Sequence, residues 1–119
     1  MSLNKKTQFG KITITNKSIS SVVADAALEC YGVIGLSAKN SLHKKSSAIL
    51  KKEDFDKGVF VYKSHKSFSI DIYLVIAFDV KITEVLHEVQ KKVKYVVEKK
   101  IGVNIESVNV YAQYLKKVE

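Results

Sequence analysis

The stretch from Phe68 to Val97 constrains the fold more than any other, because its apolar residues change period part-way along. Phe68, Ile70, Ile72, Leu74, Ile76 and Phe78 recur at every second position. Strand side chains alternate between faces with that period, so the run predicts one long strand with an apolar face. From Ile82 onward the spacing becomes helical, with Ile82, Val85, Leu86, Val89, Val93, Val96 and Val97 on one stripe. A strand that feeds directly into an amphipathic helix is the scaffold on which the other elements must pack.

The flanking chain supplies those elements. Gly10–Thr15 alternates and is rich in β-branched residues, which predicts a first strand. Asn16 or Ser18 can cap the helix that follows, in which Ile19, Val22, Val23, Ala26, Ala27 and Cys30 form the apolar stripe and Ser21, Asp25 and Glu29 the polar side. Gly32 suits the left-handed residue past its end. Val33–Leu36 predicts a short buried strand, and Ala48–Leu50 one helical turn. Val59–Lys63 predicts a strand joined by a hairpin to the long one. A second helix is expected over Val80–Ile101, capped by Asp79 and stopped by Gly102, before a last strand over Val103–Tyr114. The order β-α-β-β-β-α-β predicts an α+β two-layer sandwich, with two helices on one face of a mostly antiparallel sheet. Residues 1–9 form a frayed segment, 10–115 one domain with a lysine-rich loop at 39–57, and 116–119 a polar tail.

A chain of 119 residues can bury one ordinary core. No apolar run reaches the roughly 20 residues that span a bilayer, and the first residues lack the apolar core of a signal peptide. A single cysteine excludes an internal disulfide, and the expected location is the cytoplasm. The formal charge is +8, and all twenty basic residues are lysine. Lysine is a point charge on a flexible stem and lacks the arginine fork that reads guanine and phosphate, so a base-specific reader is not expected. Attraction to RNA backbone or to anionic lipid stays open, as does simple solubilisation. The candidate anion contacts are Lys44, Lys45, Lys51, Lys52, Lys91 and Lys92.

Catalytic patterns are missing. No serine elbow, Walker loop or dinucleotide glycine pattern occurs. The histidines His43, His65 and His87 have no partner at metal-ligand spacing, and Glu84, His87 and Glu88 read as a solvated helix surface. Cys30 lies on an apolar stripe, as a buried small residue does. No enzyme activity, metal or cofactor is expected. Gly32-Val33-Ile34-Gly35 spells G-x-x-G, the loop by which KH domains hold a nucleic acid backbone. Its middle residues are apolar and it enters a strand, so it reads as a turn; a KH-like RNA binder is the alternative function. On the second helix Glu88 stands four residues before Lys92, which predicts an ion pair along the helix.

One surface is suggestive. If both helices cover the sheet face bearing Ile72 and Leu74, then Tyr73, Val75, Tyr111, Phe60 and Tyr62 lie on the other. An apolar, tyrosine-bearing face without a helix over it is a candidate protein contact, unless the segment from Lys39 to Lys57 folds across it.

Read in order, Gly10-Lys11-Ile12, Glu29 with Gly32-Val33 and Gly35-Leu36, Lys57-Gly58-Val59 and Ile70-Asp71-Ile72-Tyr73-Leu74-Val75 resemble the alkaline shock protein family, also called the envelope stress response family, of Gram-positive bacteria and their relatives. Ile82-Thr83-Glu84-Val85 through Val89-Gln90 and Val93, then Gly102-Val103 and Val108-Asn109-Val110, continue the match across most of residues 10–112. Phe78-Asp79 stands where the family often has Tyr-Gly, and Tyr31 where it often has Pro. The resemblance implies a small non-catalytic cytoplasmic protein linked to envelope homeostasis or general stress. It also implies self-association, or docking on a protein partner that can itself be membrane-anchored, and it brings no catalytic residues.

Overall fold

In the computed structural model, which describes residues 12–14, 17–38, 49–64 and 66–116, the long alternating run is the central strand of a five-stranded sheet. The strands are β1 (Ile12–Ile14), β2 (Val33–Leu36), β3 (Val59–Ser64), β4 (Ser67–Ala77) and β5 (Ile105–Lys116), with helices α1 (Lys17–Leu28) and α2 (Ile82–Ile101). The expected order and two-layer α+β architecture are both present. One edge of β4 is shared: β3 pairs antiparallel with its first half, Val59 opposite Ile72, and β2 antiparallel with its second half, Leu36 opposite Leu74. The other edge is filled along its length by β5, in parallel, which the α2 crossover makes possible. β1 adds to the outside of β3.

The alternation decides what is buried. Ile70, Ile72, Leu74 and Ile76 are fully buried against Val85, Val89, Val93 and Val97 of α2 and against Ile19, Val23 and Ala27 of α1. Each such aliphatic side chain contributes about 1.5–3 kcal/mol by leaving water, so this face dominates the stability of the domain. Gln90 Nε2 donates to the Val108 carbonyl at 3.0 Å and ties α2 to β5. Gly102 closes α2 in the left-handed conformation, with φ 82°, its N–H bonding Glu98 O; only glycine adopts that backbone without strain.

The structure revises several local expectations. β4 ends at Ala77, so Phe78 falls into the following turn and is exposed. Asp79 does not cap α2: the helix starts after Lys81, which makes no side-chain cap bond, because the chain spends Phe78–Val80 turning out of the sheet. Glu84 in the first turn still offers the helix dipole a carboxylate. Ser18 lies inside α1 rather than before it, and Asn16 is outside the described residues. Ile49 and Leu50 form no helical turn, since the Leu50 N–H is used by the Leu36 carbonyl at the rim of β2. A 3-10 helix follows instead at Lys52–Lys57, and its Phe55 is buried in the helix-side core.

Candidate functional site

The sheet face turned away from the helices is assembled by register. β4 pairs Ser69 with Ser107, Asp71 with Asn109 and Tyr73 with Tyr111 on β5, and Asp71 with Phe60 and Ser69 with Tyr62 on β3. All of these side chains therefore point to the same side. At the end where β4 starts the face is polar: Ser107 Oγ donates to Ser69 Oγ at 3.2 Å and Asn109 Nδ2 to Asp71 Oδ1 at 2.9 Å. In the middle it is aromatic. The Tyr73 and Tyr111 rings stack at 4.8 Å and 17°, and Phe60 meets Tyr73 edge-to-face at 6.0 Å and 84°. Three neighbouring strands thus present one row, Phe60–Tyr73–Tyr111, with Tyr111 44 % exposed and Phe60, Tyr62 and Tyr73 half-buried. Burial is the main cause that raises the Tyr73 phenol above its ordinary value, with Asp71 adding to it, so the hydroxyl keeps its proton at neutral pH.

Val75 does not join this surface. It points the same way as Tyr73 but is only 1 % exposed, so it offers a partner nothing. Two contacts close the face around it. The register shift between Leu74 and Val75 makes Gln113 the extra residue of β5, and Gln113 Nε2 donates to Ala38 O at 2.7 Å and Ser37 Oγ at 3.3 Å. Ser37 flanks the opposite edge of β4, its N–H bonded to Tyr73 O, so the Gln113 side chain straddles β4. Ile49 lies against Gly35, the register partner of Val75. Of the segment from Lys39 to Lys57, then, Ile49 reaches the open face while the 3-10 helix joins the helix layer, and residues 39–48 lie outside the described residues.

That same contact removes the G-x-x-G reading. Gly32 is in the turn after α1, with φ 91°, but Gly35 is buried in β2, and a Cβ there would stand 2.4 Å from Ile49 Cγ2. The glycine admits an isoleucine, not a phosphate, and it lies inside a strand rather than between two helices. The candidate lysines do not converge either. Lys44 and Lys45 lie outside the described residues, while Lys51 and Lys52 are exposed beside the 3-10 helix. Lys91 pairs with Glu88 at 3.8 Å, and Lys92 reaches Glu29, just past the end of α1, at 3.0 Å instead of pairing along its own helix. The hydrogen bond to Glu29 is the main cause that raises the Lys92 ammonium above its ordinary value.

Other chemistry is weak on geometry. Cys30 is half-buried, its thiol directed at Ala26 O at 3.7 Å, and burial pushes its pKa up, away from the thiolate a nucleophile needs. His87 is exposed, and Glu84 is in ion-pair range of Lys81 at 3.9 Å. Among the described residues no three His, Cys, Asp or Glu side chains converge on a metal position. The hollows beside the 86 % exposed Tyr31, of about 290 and 330 Å³, are shallow and open. No helix of the described residues is long and apolar enough to cross a membrane.

The model of the alkaline shock protein family, described as having a "cell envelope-related function", matches residues 4–117. The chain belongs to the alkaline shock protein family. Two relatives match along nearly their whole length. The uncharacterized protein YloU of Bacillus subtilis is 42 % identical over 113 residues, covering 95 % of this chain and 94 % of that one. The uncharacterized protein Spy1614 of Streptococcus pyogenes is 35 % identical over 118 residues, covering 99 % and 98 %. No solved structure matches. The alkaline shock protein match confirms the resemblance noted above, and the aromatic row lies within the matched span.

Proposed function

We propose that this chain is a non-catalytic cytoplasmic module serving the cell envelope, which acts by holding a protein against the aromatic row of its open sheet face. The partner is a second copy of the chain or an envelope-associated protein. The family's envelope-related description supports the setting. The observation that carries the contact is the Phe60–Tyr73–Tyr111 row, ordered by ring stacking across three strands with no described helix over it. Tyrosine suits such a role because it brings a large apolar area with few rotatable bonds and a polar tip.

The test compares wild type with a Tyr73→Ala/Tyr111→Ala variant by sedimentation and by crosslinking in cells. Wild type is expected to self-associate or to recover a defined protein, and the variant to lose that contact while staying folded. A monomeric wild type whose recovered proteins are unchanged in the variant would defeat the proposal.

A further inference from the structure

Charge is spread unevenly over the described domain. Its described part carries thirteen lysines against eleven carboxylates, so placement matters more than the total. Lys57, Lys81, Lys91 and Lys92 are each in range of an acid. Of the lysines without an acidic partner among the described residues, four gather at one end of the molecule. Lys63 and Lys66 flank the β3–β4 turn, and Lys99 and Lys100 sit in the last turn of α2. These two places adjoin, because the chain leaving α2 returns beside the start of β4, with the Phe68 N–H bonded to Asn104 O. Lys63 Nζ lies 5.2 Å from the centre of the Phe68 ring, so its stem is held on the helix side of the sheet, toward α2.

We propose that this end docks directly on an anionic phospholipid surface, with Lys63, Lys66, Lys99 and Lys100 as the contact set. Two carboxylates share this end and leave it net positive: Glu98 Oε2 accepts the Ile105 N–H at 3.0 Å, and Glu106 Oε1 accepts the Ser67 hydroxyl at 3.0 Å, so neither pairs with one of the four lysines. The negative end of the α2 dipole accounts for Lys99 and Lys100, but Lys63 and Lys66 belong to a different element. Lysine ammonium groups bind a headgroup layer as point charges, without the planar fork that nucleic acid recognition favours. The exposed aromatic on this side, Tyr95, accepts a hydrogen bond from the Lys99 ammonium on its hydroxyl at 3.1 Å, which steadies that lysine at the end of α2. The envelope-related family description points the same way. This contact lies on an end of the domain rather than on the aromatic row, so it stands independently of the protein-docking proposal.

The experiment sediments the purified full chain with phosphatidylcholine vesicles, with and without phosphatidylglycerol, at low and raised salt, beside a parallel titration with homopolymeric RNA. Expected is binding to the anionic vesicles alone, released by salt. K63Q/K66Q/K99Q/K100Q weakens it on the order of a thousandfold, by the usual contribution of each surface lysine. K17Q/K51Q/K52Q/K116Q, with the same charge loss elsewhere, weakens it far less. If the first variant melts early, K66Q/K99Q/K100Q leaves the Lys63–Phe68 contact intact and reads the same effect. No binding to anionic vesicles at low salt, equal losses in both variants, or binding of RNA without vesicles would each overturn the assignment.

Discussion

Replacing Gly35 by alanine tests whether this glycine is a packing notch or a ligand loop. The added Cβ would stand 2.4 Å from Ile49 Cγ2 and 3.5 Å from its Cβ and Cγ1. Carbon atoms rest about 3.5–4.0 Å apart, so more than an ångström of overlap must be relieved. β2 is held on both sides, by β4 and by the Leu50–Leu36 bond, whereas Ile49 is 37 % exposed and can swing outward. The cost is then the burial of roughly two-thirds of an isoleucine, about 1–2 kcal/mol. Ile49→Ala should cost a similar amount, because it gives up the same contact. The double variant should be no worse than Ile49→Ala alone, since the alanine Cβ then enters vacated space. Urea unfolding of the four proteins measures this as a coupling of about 1–2 kcal/mol, or about 3–5 °C per kcal/mol in a thermal scan. Additive losses would refute the notch; so would an unaffected stability in Gly35→Ala.

Three further outcomes follow from the geometry. Tyr73→Ala and Tyr111→Ala should couple by about 0.5–1.5 kcal/mol in a double-mutant unfolding cycle, the range for a stacked aromatic pair; zero coupling would mean the rings do not stack in solution. Cys30 should react with iodoacetamide at neutral pH more slowly than a free cysteine, because burial raises its pKa from the ordinary 9.0, and a faster reaction would contradict that burial. Glu29→Gln should let the Lys92 pKa fall toward the ordinary 10.5 in an NMR titration. Since that pKa is raised on folding, the pair's contribution is complete below the unfolded value and lost only as pH climbs through the folded one; wild type and variant should therefore differ by a constant amount from neutral to mildly alkaline pH.

What the sequence made legible follows local periodicity. The alternation from Phe68 to Ile76 and the valine spacing of α2 need nothing outside themselves to be read, and Gly102 marks its helix end by backbone freedom alone. The aromatic face followed from the same alternation once the helices were assigned to the other side. The errors arise where distant segments decide. Val75 obeys the alternation yet is buried, because Gln113, on another strand, reaches across it to Ala38. Lys92 obeys the helical pairing rule for Glu88, but Glu29, in the turn after α1, comes closer. The 3-10 helix at Lys52–Lys57 has no strong period of its own and is fixed by packing Phe55 under α1. The basic end was invisible for the same reason: Lys63 and Lys100 come to one end of the molecule only after β5 has laid itself along β4.

That parallel pairing also sets an order of events during synthesis. β4 is the central strand of the sheet and largely apolar, and one of its edges is closed only by β5, whose first residue is made twenty-eight positions after Ala77. At about 5–20 residues per second the nascent chain spends a few seconds with α2 emerging and that edge unpaired, and parallel, long-range pairing is slow to form. An exposed apolar edge is where nascent chains associate wrongly. Truncation after α2 should consequently yield an aggregating fragment rather than a smaller folded domain, so the last strand acts as the closing cover of an edge that every earlier element leaves open.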